Sequence, residues 1–279
     1  NKIIGSINQQ DKKINFFGKI YQKIDKLVGS DYLANMGNAM RTDMIVKLIK
    51  NVMFPRYLHP KEKDILIFTS PRRILENGIY RSIYTDYLHD VFPNKCATAE
   101  FANGMVHLCP AYSAPIYEMD RLDIIPFLRG ELSKIINHRN KQIFALKGKY
   151  ISDMLYEKFG KRVDDGLISN LIETRFYWYK YKKRSLKQFI IQINPKVIVE
   201  ICGYSRNNLI VNEIANELMI PTVEFQHGII GFGHIAYNYK EDRRYLNLPK
   251  YLCVFSEYWK NTCRFPIGRE NIVVTGFPF

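Results

Sequence analysis

The side chains of this 279-residue chain whose types and spacing can do chemistry gather in its last third. His227 follows the run Thr222-Val223-Glu224-Phe225-Gln226 and precedes Gly228. A neutral imidazole at such a place can act as general base toward a hydroxyl nucleophile, because its ordinary pKa lies near neutrality. The competing reading is a histidine packed at a strand end and hydrogen-bonded to backbone. His227 opens the loop Gly228-Ile229-Ile230-Gly231-Phe232-Gly233-His234, whose three glycines permit a ligand to approach the backbone closely. Gln226 and Gly228 would shape that loop. His234 and Tyr237 are either ligand contacts or ordinary surface residues of the loop.

Other segments offer complementary groups. Arg72 and Arg73 follow an apolar run directly and can grip an anion bidentately, or they can occupy a solvated turn. Gly203-Tyr204-Ser205 follows another apolar run and supplies two hydroxyls, of which Ser205 also suits a helix N-cap. Glu200 lies inside that run, where a lone carboxylate is costly unless paired. It is either a functional acid or a holder of a loop backbone or an arginine, and Glu224 poses the same choice. Between Arg175 and Arg184 basic and aromatic residues interleave. Such a stretch fits nucleic-acid bases or an anionic membrane surface. It also fits one helix with an aromatic buried face and a basic solvated one.

Several signatures are missing from the sequence: no GxGxxG after a strand, no GxxxxGK[ST], no GxSxG and no HExxH. Dinucleotide oxidoreductases, P-loop NTPases, common α/β-hydrolases and zincins lose support accordingly.

The elements that must position these groups read as alternating strands and helices. Continuous apolar runs mark buried strands at Asp64–Thr69, Lys196–Cys202, Thr222–Gln226, Tyr251–Phe255 and Asn271–Thr275. Between the second and third, Val211, Ile214, Ala215, Leu218 and Met219 fall on one helical face, which gives a strand–helix–strand unit with a right-handed parallel crossover. The expected fold is therefore α/β, a Rossmann-like doubly wound parallel sheet over residues 61–279, with a helical extension over residues 1–60. In such sheets ligands bind outside the carboxyl ends of the strands, and the segments above all sit there. The middle is less regular. Leu122 to Leu128 fits a strand or a short buried helix, and Ser133–Tyr150 and Ile151–Ile193 read as helical.

Composition sets the frame. With 47% hydrophobic and 24% charged residues the chain is globular, not disordered or collagenous. The five cysteines are scattered and form no CxxC pair, which argues against a zinc site or a disulfide framework and for reduced thiols in a cytoplasmic protein. No run reaches the ~20 apolar residues of a membrane span. Forty-one Lys and Arg against 27 Asp and Glu leave a formal charge of +14, which asks for an anionic partner: nucleic acid, an anionic membrane face or a phosphorylated substrate.

From Thr222 through Gln226-His227-Gly228 to His234-Ile235-Ala236-Tyr237-Asn238-Tyr239, and again at Ile272-Val273-Val274-Thr275-Gly276-Phe277-Pro278, the sequence resembles bacterial surface-carbohydrate glycosyltransferases of the GT-B type. These build capsule and lipopolysaccharide glycans. The matching part runs from Lys196 to Phe279, with a looser match over Asp64–Arg73. The resemblance implies transfer of a sugar from a nucleotide-sugar donor to a glycan or lipid-linked acceptor. His227 would be the catalytic base. Gln226, Gly228, Tyr204, Ser205, His234 and Tyr237 would surround the acceptor, and Arg72 and Arg73 would meet an anionic group. It implies no cofactor beyond the donor substrate, no metal ion and no nucleic acid, and a peripheral place on the inner face of the cytoplasmic membrane. It also implies that these residues are the acceptor-side half, the donor-binding domain lying outside them. A CDP-alditol-dependent polyol-phosphate transferase on the same frame is the nearest alternative, and a basic nucleic-acid-binding domain the more distant one.

Overall fold

The structure, a computed structural model, describes residues 49–54, 60–70, 72–101, 107–137, 140–239, 247–262 and 264–277. Most of the helical extension expected over 1–60 lies outside the described residues; within it, residues 49–53 are helical.

Seven parallel strands form one sheet. In chain order they are β1 (Ile65–Thr69), β4 (Cys96–Glu100), β5 (Ile116–Glu118), β6 (Val197–Ile201), β7 (Thr222–Phe225), β8 (Tyr251–Val254) and β9 (Ile272–Val274). A short antiparallel hairpin, β2 (Ile74–Glu76) and β3 (Ile79–Arg81), stands apart. The spatial order is β5-β4-β1-β6-β7-β8-β9, so the chain winds outward in one direction from β1 and then in the other from β6. This reversal of strand order is the Rossmann-like arrangement, and it opens a crevice at the carboxyl ends of β1 and β6.

Helices cover the faces: α1 (Tyr87–Val91), α2 (Asp120–Ile136), α3 (Lys141–Phe159), α4 (Asp165–Ile193), α5 (Arg206–Glu217) and α6 (Glu257–Thr262). The main core lies on one face, where Leu66, Phe68, Ala97, Ala99 and Ile198 of the sheet meet Leu122, Phe127, Trp178, Leu186, Phe189, Ile190, Val211 and Ile214 of α2, α4 and α5. A second cluster on the same face gathers Ile230, Tyr237, Leu252, Val254, Phe265 and Ile272 beneath β8 and β9. On the opposite face Ile67, Cys96 and Val199 pack against Leu88 of α1.

Local chemistry explains the helix ends. Ser205 caps α5 by accepting a hydrogen bond from the Asn208 N–H at 3.2 Å, as the sequence predicts. Asp164 caps α4 through the Leu167 N–H at 2.6 Å. At the other end of α4, Asn194 takes the left-handed conformation (φ 51°) that ends a helix, and Pro195 follows. The 29 residues of α4 span about 43 Å, which lets α2 and α3 both pack along it.

All five predicted strands form. The sequence reading does not identify β4 and β5 as strands. Cys96-Ala97-Thr98-Ala99-Glu100 is built from small, weakly hydropathic residues, and β5 has only three. Leu122–Leu128 resolves as part of α2, a 17-residue helix; the stretch expected over Ser133–Tyr150 breaks after Ile136 and is divided between α2 and α3, and that over Ile151–Ile193 is divided between α3 and α4 with a break near residue 160.

The α3–α4 seam depends on small residues. A Cβ placed on Gly148 would come 2.7 Å from the Asp165 carbonyl oxygen and 2.9 Å from the Ser169 nitrogen. Gly148→Ala gains about 1 kcal/mol of helix propensity. Forcing backbone apart at the seam costs about 1–3 kcal/mol. The expected outcome is a net loss in chemical denaturation; a variant as stable as the parent would mean that the seam is looser than described.

Candidate functional site

The carboxyl edge of the sheet brings His227, Tyr204, His234 and Tyr237 into one aromatic cluster. Their rings lie 4.9–6.1 Å apart by centroid, Tyr204 edge-on to Tyr237 and both His234 and His227 beside it. His227 leaves β7 at the edge, and its carbonyl accepts a hydrogen bond from Tyr84 on the far side of the crevice at 2.8 Å. Gln226 is a buried bracket. Its amide donates to the Gly228 carbonyl at 2.7 Å, and its oxygen accepts from the Phe255 N–H at 2.8 Å. The loop anchored in this way then turns outward, leaving Ile229, Phe232 and Ile235 exposed while Ile230 enters the core.

Each ring nitrogen of His227 faces a phenol. Nε2 lies 3.3 Å from the Tyr204 hydroxyl and Nδ1 lies 3.4 Å from the Tyr237 hydroxyl. Catalytic hydrogen bonds are often this long before a substrate closes the site. Burial, and after it the charges of Arg72 and His234, push the His227 imidazole down to about 4. Near neutral pH it is therefore uncharged, with one protonated and one basic nitrogen. Arg72 is itself exposed, a cation beside that ring and free to meet an anion.

Below the ring lies a pair of buried glutamates. Parallel pairing sets Glu200 on β6 in register with Glu224 on β7, so both carboxylates emerge on one face of the sheet. Both are fully buried. Glu224 Oε1 accepts hydrogen bonds from the Tyr237 hydroxyl and, at 2.9 Å, from the Gly203 N–H. Glu200 Oε1 accepts from Asn212 of α5 at 2.7 Å. The Oε2 atom of each has no partner. Burial raises the pKa of both, to about 7 for Glu224, and the neighbouring Glu224 charge adds to the rise at Glu200. Burial thus favours a proton on this pair at moderate pH, and the Oε2 atoms, which have no other partner, are free to carry it.

The structure thus gives several predicted site residues a different place. Tyr237, expected at the acceptor, is fully buried under His227 and bonds Glu224. Ser205 is occupied as an N-cap. Glu200 pairs with Glu224 and Asn212 rather than with an arginine. Arg73 does not share the exposed place of Arg72. Its side chain is buried, ion-paired with Glu100 at 2.5 Å and bonded to the Leu108 carbonyl at 3.2 Å. Neighbours in sequence, the two arginines serve different places because β4 ends beside one of them. Tyr204, His234, Gly228 and Arg72 do reach the open side of the site. In the 175–184 stretch Tyr177, Trp178 and Lys182 are buried, and Lys182 is paired with Asp123 and sits over the Phe101 ring at 4.4 Å. Tyr177 and Trp178 are therefore turned into the protein, while Phe176 stays 49% exposed.

A second charged cluster escaped the sequence reading. His107 bridges Glu100 (Nδ1, 2.7 Å) and Asp120 (Nε2, 2.9 Å). Burial disfavours its charge, but the hydrogen bonds to Asp120 and Glu100 prevail and push its pKa up to about 10. With Arg73 it makes a balanced knot of two cations and two anions that ties β4 to α2. Donor atoms of His107, Glu118 and Asp120 lie within 4.8 Å of one another, the spacing a metal ion needs, but both imidazole nitrogens already face carboxylates. No pattern in the sequence marks this set, since its members come together only when β4 and β5 pair. Tyr84, which donates to the His227 carbonyl, was hidden because that contact joins residues 143 positions apart.

Because burial raises the pKa of Glu200 and Glu224 above the unfolded value, the pair's contribution to stability is present below pH 4.5. It is lost as pH rises through about 7. Glu200→Gln keeps an acceptor for Asn212 and can donate to Glu224. It should be more stable than the parent at pH 8, by on the order of 1–3 kcal/mol, with the difference closing toward pH 4. Thermal unfolding across that range is the check, and a variant less stable at pH 8 would contradict a shared proton.

Comparison with known proteins leaves the site to speak through its geometry: no family model matches the chain, and no curated protein or solved structure is significantly similar to it.

Proposed function

We propose that the chain is the acceptor-side half of a GT-B glycosyltransferase of bacterial surface-polysaccharide synthesis, with His227 as the base that deprotonates an acceptor hydroxyl. The observation that carries this reading is a nearly buried histidine, held uncharged, at the carboxyl edge of a parallel sheet beside the exposed cation Arg72. A base must enter the reaction unprotonated, and this environment keeps it so at physiological pH. The attacking oxygen of the acceptor would lie against Nε2 and the Tyr204 hydroxyl, with His234 bordering the same space. Arg72 would offset negative charge on the donor's leaving nucleoside diphosphate, together with helix N-termini such as that of α5. Exposed Ile229, Phe232 and Ile235 suit the apolar portion of a lipid-linked acceptor.

Transfer assays using nucleotide-sugar donors test this directly. His227→Ala should lower turnover by about 10²–10⁴-fold with the circular dichroism unchanged. Turnover within a few-fold of the parent would remove His227 from the reaction.

The same reading places the protein against an anionic membrane surface, and α3 supports it. Its outward stripe of Ile143, Leu146, Tyr150 and Met154 is 46–70% exposed and is flanked by exposed Lys147 and Lys149. Residues 120–193 carry sixteen Lys and Arg against eight Asp and Glu. Among the described residues no helix is long and apolar enough to cross a membrane. An amphipathic surface of this kind binds in the plane of the headgroups. Sedimentation with vesicles containing phosphatidylglycerol should capture the protein at low salt and release it at high salt. Capture that is equal on neutral vesicles, or absent at low salt, would rule the surface out.

A further inference from the structure

The hydrogen bonds around His227 define a direction. Tyr237 has a single hydroxyl proton, and Glu224 Oε1 receives it. That oxygen also accepts from the Gly203 N–H, so the proton shared by the two glutamates sits elsewhere, on the side of the unpartnered Oε2 atoms. Toward His227 the Tyr237 oxygen can then only accept, which puts the ring proton on Nδ1 and the lone pair on Nε2, which faces the Tyr204 hydroxyl. Free imidazole has no such fixed choice; here three residues make it. The environment also opposes a charged ring: burial, Arg72 and His234 act against imidazolium, while Tyr204, beside Nε2, and its neighbour Cys202 remain protonated and neutral, their pKa values pushed up.

Resting on the reading of His227 as base, we infer that the ring does not keep the proton it takes but passes it through Tyr237 to the buried Glu224–Glu200 pair, which is the terminal acceptor. The steps balance. The acceptor O–H breaks as Nε2–H forms, and the oxygen's electron pair bonds to the donor sugar while the nucleoside diphosphate leaves with the electrons of its bond. Nδ1–H breaks as a new bond forms on the Tyr237 oxygen. The former Tyr237 hydroxyl proton ends on Glu224. His227 is neutral before and after, and a pair holding one proton and one negative charge becomes a neutral pair holding two. After product leaves, the reverse path returns the proton through Nε2 to water. Tyr237, Glu224 and Glu200 are positioning residues in this scheme, and none of them touches substrate.

The tautomer of His227 tests the relay apart from any activity. Long-range proton–nitrogen NMR on the intact chain with ¹⁵N-labelled histidine should show, near pH 7, a His227 ring protonated at Nδ1 and bare at Nε2. In Tyr237→Phe that preference should be lost. A ring protonated at Nε2, or doubly protonated, in the parent would overturn the relay, as would a phenylalanine variant that keeps the Nδ1–H form. The parent spectrum decides even if the variant fails to fold. In transfer assays Tyr237→Phe should lower kcat by about 10–100-fold at constant KM, and an unchanged kcat would also overturn the relay. Failure of the transferase reading looks different: no turnover by the parent with any nucleotide sugar, whatever the tautomer.

Discussion

Two negative side chains on adjacent central strands, in register and out of water, are the constraint around which the functional edge is built. Glu200 and Glu224 cannot separate, because parallel pairing of β6 with β7 fixes them side by side on one face. Leaving both ionised there would cost several kcal/mol. The surroundings answer with an amide from α5, a backbone N–H from residue 203, a phenol from the loop after β7, and a proton held in common. Each of those partners belongs to a different element. The pair therefore joins β6, β7, α5 and the His227 loop at one point, and the aromatic cluster is assembled on top of it.

Two further sets of buried charges are locally neutral. Arg73, Glu100, His107 and Asp120 close the β4–α2 corner. Lys182, fully buried on α4, meets Asp123 of α2 and the face of Phe101. Among the described residues the buried cations Arg73, His107 and Lys182 each face a carboxylate, and the exposed lysines and arginines carry the basic character of the surface. That division suits a protein whose proposed ligands, a nucleotide and an anionic lipid face, are both approached from outside.

Much of this was legible in the sequence, and the limits have physical causes. β1, β6, β7, β8 and β9 announce themselves because each is a short, largely apolar run, as strands of a parallel sheet are. β4 escapes because two alanines let α4 approach the sheet closely, and small residues carry little hydropathic signal. His227 could be picked out from its strand end and the following glycine. Its partners could not, since the register that brings Glu200 to Glu224, and the turn that folds Tyr237 back beneath the ring, are tertiary facts. The misplacement of Arg73 is the same lesson in miniature. A side chain's neighbours in sequence gave its strand end correctly, but the strand that pairs alongside decided where it points.

Gly203 carries a consequence for how this site can vary. Its backbone angle is one any residue could adopt, for it is absent from the positions with positive φ. What demands glycine is vacancy: a Cβ there would lie 2.6 Å from an oxygen of Glu200 and 2.6 Å from one of Glu224. Positions 200, 203 and 224 are thus a single unit of inheritance. A methyl group at 203 becomes admissible only once both acids are shortened or turned away, and neither acid can return while the methyl group remains. Drift at the first position would lock the acids out, so the order of substitutions, and not only their sum, governs which descendants of this sequence can keep the pair.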